Sequence, residues 1–325
     1  MVSTLGRLFG IGMLALGLAS CAHVGEDQLS HPLAGKVWNV SQQRFIEPGV
    51  LAQQTSEARF VLLGEIHDNR MHHDIQATLL QQIAQSGRRP ALVMEQYDRD
   101  QQGKLDDVLN SSQPFGDKLK ALGDLMRKGW EWQAYEPLLS LALQYGLPVV
   151  AANLSREELR VVSRQGFGAL GTGEDERLAL ETVWTPERQE RLARDIYDGH
   201  CGKVPQHVVD AIAKAQRARD AVMADTMLRF ADKGAVAIIG SGHARRDMAV
   251  PLYIAARAPQ AVLISVGMMQ VDTSQNPAAY ANGPLGQMFD YVWFTPRVSR
   301  RVNPCDTIPA APATSPAPPG LKQQS

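Results

Sequence analysis

The chain has 325 residues, 44% of them hydrophobic and 21% charged, and 33 basic residues against 34 acidic ones leave a net charge of −1. That length allows one large domain or two smaller ones, with a sizeable core. The balanced charge, without a long like-charge block, excludes the basic footprint of a nucleic-acid surface, so no nucleic acid is expected as a partner.

Arg7 is the only charge ahead of the apolar run "LFGIGMLALGLAS". The run is shorter than the ~20 helical residues that span a bilayer and has the length of a signal-peptide core. It ends in Leu18-Ala19-Ser20-Cys21, which resembles a bacterial lipobox with the Cys21 thiol as the atom that takes the lipid. Residues 1–20 are therefore read as a lipoprotein signal peptide, Cys21 as the lipidation site carrying palmitate, and residues 21–36 as a tether. Ala22, not an aspartate, follows the cysteine; by the sorting rule of Gram-negative lipoproteins this predicts a lipid anchor in the outer membrane. Export leaves Cys201 and Cys305 in an oxidising compartment, which permits them to pair as a disulfide.

Residues 37–302 are read as the folded domain. Six apolar runs follow in chain order: "RFVLLGE" (59–65), "ALVMEQ" (91–96), "PVVAAN" (148–153), "AVAIIGSG" (235–242), "AVLISVG" (261–267) and "YVWFT" (291–295). They are continuous, not alternating, and rich in Val, Ile and Leu, as in strands buried on both faces of a parallel sheet. After the first run, "DNRMHHDIQATLLQQIAQSG" predicts a helix with Asp68 or Asn69 as N-cap and Gly87 past its end. Its Ile75, Leu79, Leu80 and Ile83 fall on one helical face. The interval between the third and fourth runs is almost all helical and too long for one crossover, so a helical cap is expected at about residues 155–232. The last segment, 303–325, is rich in Pro and Ala and is expected to be a disordered tail. The fold class is α/β: a mostly parallel central sheet flanked by helices, with a helical cap insertion.

In open α/β sheets, ligands bind beyond the carboxyl ends of the strands. Those ends carry Glu65 and His67, then Glu95 with Gln96 and Tyr97, then Asn153, then Ser241, His243 and Arg245. Two ends repeat the pattern G-x-x-H, from Gly64 to His67 and from Gly240 to His243. His67, Glu95 and His243 suit a divalent metal such as Zn or Mn, with Glu65 as the general base of a hydrolase. The same rim suits haem, whose propionates take Arg and His and whose iron takes His or Tyr. That reading groups Glu65, His67, Tyr97, Tyr135, His243 and Arg245, with Tyr291 as a further phenol. Arg245 and its neighbour Arg246 are otherwise expected in solvent. His72 and His73 point about 100° apart on a helix, so at most one faces the rim and the other is expected in solvent. Ser241 lacks the G-x-S-x-G frame of a nucleophile elbow.

The stretches "VLLGEIHDNRMHH", "ALVMEQ", "WQAYEPLL", "LPVVAANLSR", "AQRARDAVMA" and "IIGSGHARRDMAVPLYI", in that order, resemble the ChaN-like family of iron-regulated, haem-binding lipoproteins. The resemblance runs from about residue 45 to residue 295. It implies an α/β core, haem as cofactor, and an outer-membrane lipoprotein in bacterial haem or iron uptake, with a haem receptor or a homodimer as partner. The broader superfamily is similar to Tiki metalloproteases and erythromycin esterase-like hydrolases. The Tiki-type metal motif maps onto Gly64–His67, Gly240–His243 and Glu95, which keeps a metal-dependent hydrolase as the alternative function. Where many relatives carry a Phe-containing stretch after the second strand, this chain has Glu95-Gln96-Tyr97, which adds Tyr97 as a candidate iron ligand.

Overall fold

The computed structural model describes residues 31–271, 288–297 and 305. The expected signal peptide, the Cys21 lipid site, most of the tether and the tail apart from Cys305 lie outside the described residues. The elements in chain order are β1 (Val37–Asn39), β2 (Arg44–Ile46), α1 (Pro48–Glu57), β3 (Phe60–Glu65), α2 (Arg70–Gln85) and β4 (Ala91–Asp98). Then come α3 (Gln102–Asn110), α4 (Phe115–Asp124), α5 (Trp132–Tyr145) and β5 (Val149–Asn153), followed by α6 (Arg156–Gln165), α7 (Glu174–Arg177), α8 (Pro186–Gly199) and α9 (Gln206–Leu228). The chain returns to the sheet with β6 (Ala235–Gly240), α10 (Val250–Arg257), β7 (Leu263–Gln270) and β8 (Tyr291–Thr295).

Among the described residues the strands form one sheet in the order β2-β1-β8-β7-β3-β6-β4-β5. All pairings from β8 to β5 are parallel, whereas β1 pairs antiparallel with both β2 and β8. The fold is thus the α/β class with a mostly parallel sheet. The β1–β2 ribbon escapes the sequence reading because each strand has three residues and β2 is largely exposed, so neither leaves an apolar run.

Successive strand side chains point to opposite faces, and the core divides accordingly. Phe60, Leu62, Val93, Ala237 and Ile239 pack with Ala218, Ala221 and Val222 of α9. Val61, Leu63, Met94, Val236 and Ile238 pack with Leu79, Leu80 and Ile83 of α2 and with Leu138 and Leu139 of α5. Helices on both faces are the reason the strands read as unbroken apolar runs.

Helix α2 begins where the sequence places it. Asn69 caps it, its side chain accepting from the Met71 amide at 3.0 Å, and Gly87 follows the end at φ +89°. The insertion between β5 and β6 holds α6 to α9, and α9 lays its buried alanines on the sheet. The expected Cys201–Cys305 disulfide is present, with Cα atoms 5.7 Å apart.

The two G-x-x-H turns leave neighbouring strands side by side, since β3 pairs with β6 and Glu65 lies opposite Gly240. Gly64 has no room for a side chain: a Cβ there would sit 2.8 Å from the Ala244 Cβ and 3.0 Å from the Ser241 Cα. The glycines let the two turns pack against each other.

Candidate functional site

Glu65, the last residue of β3, is the hub of one half of the site. Its Oε1 accepts from His67 Nδ1 at 2.9 Å and from the Tyr135 hydroxyl at 2.5 Å, and its Oε2 lies 3.4 Å from His73 Nε2. Burial alone would raise the carboxyl pKa; the hydrogen bond from His67, the close approach of His73 and the positive field of both outweigh it and bring the group down to about 2. His67 moves the other way: burial opposes its charge, but the Glu65 bond and the field of Glu95 raise its pKa. The His67 side chain is 47% exposed while Glu65 is fully enclosed. Trp130 stands edge-on to His67 at 4.4 Å between centroids, and Tyr135 packs on His73 at 4.6 Å.

The second half centres on Glu95. It accepts from the Gly240 amide at 2.8 Å and forms an ion pair with Arg219, which also donates to Asn153 Oδ1 at 3.0 Å. His243 Nε2 is 3.6 Å from Glu95, and His243 Nδ1 bonds Asp220 at 2.5 Å. Burial raises the Glu95 pKa, but His243, Arg219 and His67 overcome it, and the net shift is downward. For Asp220, burial outweighs the pull of His243 and the shift is upward. The halves meet at Gly240, where a Cβ would lie 2.9 Å from the His67 ring and 3.6 Å from Glu95 Oε2. Only glycine lets the imidazole lie across that strand end.

The structure thus brings together Glu65, His67, Tyr135, Glu95 and His243. Tyr97 is a correction: it is enclosed in the core and its hydroxyl donates to the Leu122 carbonyl at 2.9 Å, so burial raises its pKa and no phenolate is offered. Tyr291 likewise turns its hydroxyl to Gln54 at 2.6 Å. Arg245 is held by Asp195 and Asp247, and Arg246 pairs with Asp290, so neither is a free surface cation. Of the adjacent histidines, His73 joins Glu65. His72 is buried too, not solvated: its Nδ1 accepts from the Ile66 amide at 2.9 Å and its Nε2 donates to Thr295 at 2.8 Å.

His67, Glu95 and His243 are not arranged as a metal trio. Glu95 already faces the Arg219 guanidinium, and no group of three His, Cys, Asp or Glu side chains suited to a metal ion occurs among the described residues. Arg219 and Asp220 are functional candidates that sequence reasoning missed. They lie in the stretch "AQRARDAVMA", whose sign is that charged residues interrupt the alanine-rich face of α9, where Arg217, Asp220 and Asp225 are all buried.

Fold and site together define an α/β protein with a histidine–carboxylate cluster at the carboxyl edge of its sheet. The family model described as "Haem-binding uptake, Tiki superfamily, ChaN" matches residues 51–254, and the chain belongs to that family. Among solved structures, ChaN of Campylobacter jejuni, described with cofacial haem binding, superposes with a TM-score of 0.64 at 19% identity, covering 79% of this chain and 95% of that one. A mutant erythromycin esterase, EreC, in its open conformation gives a TM-score of 0.47 at 10% identity, covering 82% of this chain and 98% of that one. No match is found among curated protein sequences.

Proposed function

We propose that this protein binds haem at the edge formed by Glu65, His67, Trp130 and Tyr135 and takes part in haem or iron uptake. The observation that carries the reading is the state of His67. It is the half-exposed member of an otherwise buried polar cluster, with Nδ1 committed to Glu65 and Nε2 without a hydrogen bond among the described residues. A carboxylate behind an imidazole fixes its tautomer and orientation for iron or another metal. Haem supplies four nitrogens of its own, so a single protein donor suffices. When bound, haem would supply the iron; the chain's part is to present the imidazole, wall one side with Trp130 and hold Glu65 in place. Burial and the Glu65 charge raise the Tyr135 pKa, which makes its phenol a donor that steadies Glu65 instead of an iron ligand. Family membership and the fold shared with ChaN support the same reading.

The hydrolase alternative needs Glu65 as a base, and a carboxyl brought down to about 2 is a weak one. The lipid anchor at Cys21, the outer-membrane location, the domain limits and a receptor or homodimer partner belong to the same proposal and rest on the sequence. Haemin titration of the purified full chain tests the binding. A Soret shift at micromolar haemin that is lost in His67→Ala is expected; no haem binding at that level overturns the proposal. Radiolabelled palmitate should enter the wild type and not Cys21→Ser, and label in both would overturn the anchor.

A further inference from the structure

We infer that Gln102 locks the open edge of the sheet: its side-chain amide takes the place of a next strand on β5 and keeps β5 from pairing with β5 of a second copy of this chain. This edge lies apart from the haem-binding reading. β5 ends the sheet order, with β6 and β4 between it and β3, the strand that leads to His67.

An edge strand presents unpaired N–H and C=O groups to any chain that can reach them. Among the described residues the sheet has two such edges, β2 and β5. β2 protects itself by shortness and charge: it has three residues, among them the exposed Arg44. β5 has neither protection, for its sequence is "VVAAN", uncharged and of ordinary strand length. On its inner side the Leu92 amide of β4 donates to the Pro148 carbonyl at 2.8 Å. Backbone groups alternate in direction along a strand, so the Val149 carbonyl and the Ala151 amide point away from β4. A groove of about 570 Å³ runs beside them, with Pro148, Val150, Ala151 and Gln102 in its lining.

Gln102, the first residue of α3, meets both outward groups. Its Oε1 accepts from the Ala151 amide at 2.8 Å, and its Nε2 donates to the Val149 carbonyl at 3.2 Å. Nε2 also donates to Asp106 Oδ1, one turn on in α3, at 2.9 Å. These bonds fix which way round the amide sits, because the Ala151 N–H needs an acceptor while the carbonyl and the carboxylate need donors. One residue of a neighbouring parallel strand would offer β5 the same pair, its N–H to Val149 and its C=O to Ala151. A simple tie between helix and sheet would need only one of these contacts. Gln102 makes both, and neither backbone group has another side-chain or loop partner among the described residues.

The edge beneath the lock is self-complementary. About a two-fold axis at Val150, the Ala151 amide of one copy meets the Val149 carbonyl of the other, and the reciprocal contact repeats it. That is the hydrogen-bonded pair of an antiparallel ladder, built from the two groups that Gln102 occupies. Such an interface is isologous and closes as a dimer. A second copy is therefore the partner that the bare edge fits.

Sedimentation velocity of the haem-free full chain tests the lock, with Cys21→Ser in every sample so that no acyl chain drives association. Gln102→Ala is expected to dimerise at least about tenfold more tightly than this parent, since no amide has to be displaced. Adding Ala151→Pro should restore the parent's behaviour, because proline removes the outward N–H and leaves the β4 ladder intact. In Gln102→Ala diluted below its association range, the Ala151 amide should exchange its hydrogen faster than in the parent. Equal association of parent and Gln102→Ala overturns the inference. Association that survives Ala151→Pro, as a misfolded variant would show, overturns it too. So does an unchanged Ala151 exchange rate.

Discussion

Replacing His72 by asparagine links burial to proton binding at the start of α2. Burial, against a smaller pull from Glu65, lowers the His72 pKa from 6.5 to about 4. Above pH 6.5 the ring is neutral in both folded and unfolded chains and the linkage contributes nothing. As pH falls from 6.5 towards 4, the unfolded chain takes up a proton that the folded chain refuses, and stability is lost. One pKa unit corresponds to about 1.4 kcal/mol, so the full loss is about 3 kcal/mol and the part between pH 7 and pH 5 is about 2 kcal/mol. Asparagine does not titrate, and its carbonyl still accepts from the Ile66 amide. It gives up the Thr295 bond at 2.8 Å and some packing, together costing about 1–2 kcal/mol at pH 7. The variant should therefore be less stable than wild type at pH 7 and equal to it or better at pH 5. Urea unfolding followed by tryptophan fluorescence at the two pH values measures this difference. His67, whose raised pKa adds stability below pH 6.5 that is lost as pH rises, is present in both chains and cancels. A stability difference that stays constant between pH 7 and pH 5, within about 0.5 kcal/mol, would refute the reasoning.

Gly240→Ala would place a Cβ 2.9 Å from the His67 ring and push it off Glu65; haemin affinity at the edge should fall about 10–100-fold, with the far-ultraviolet circular dichroism unchanged. Asp225 is held well below the usual carboxylate range by Arg177, Arg257 and Arg229 against the effect of burial. Asp225→Asn leaves three guanidinium groups facing one another and should cost about 2 kcal/mol in urea unfolding at pH 7. Cys201→Ser opens a bridge spanning 104 residues of sequence and should cost about 3 kcal/mol, a difference that disappears when the wild type is unfolded in reducing buffer.

Much of the fold was legible because burial on both faces of a parallel sheet leaves unbroken apolar runs, and each run is local. The same holds for the Asn69 cap and for Gly87, whose roles depend on the few residues around them. The paired Gly-x-x-His turns could also be read, since each follows directly from its strand. The β1–β2 ribbon could not, because three-residue strands at an exposed edge bury too little to mark the sequence.

The site divides along the same line. Residue types at strand ends announced a rim of carboxylates and imidazoles. They did not say that His73 and not His72 turns to Glu65, because neighbours on a helix differ by a rotation that only packing assigns. Nor did they separate Tyr135, whose hydroxyl reaches Glu65, from Tyr97, whose hydroxyl is held by Leu122. Arg219 and Asp220 sit on a helix more than a hundred residues from Glu95, and a charge on a helix has no local sign of its distant partner. The amino-acid sequence by itself determined which segments bury and how each begins and ends. Only the tertiary structure decided which buried charges meet, because the sheet order that sets β3 beside β6 and α9 across their ends arises from pairings between segments far apart in the chain.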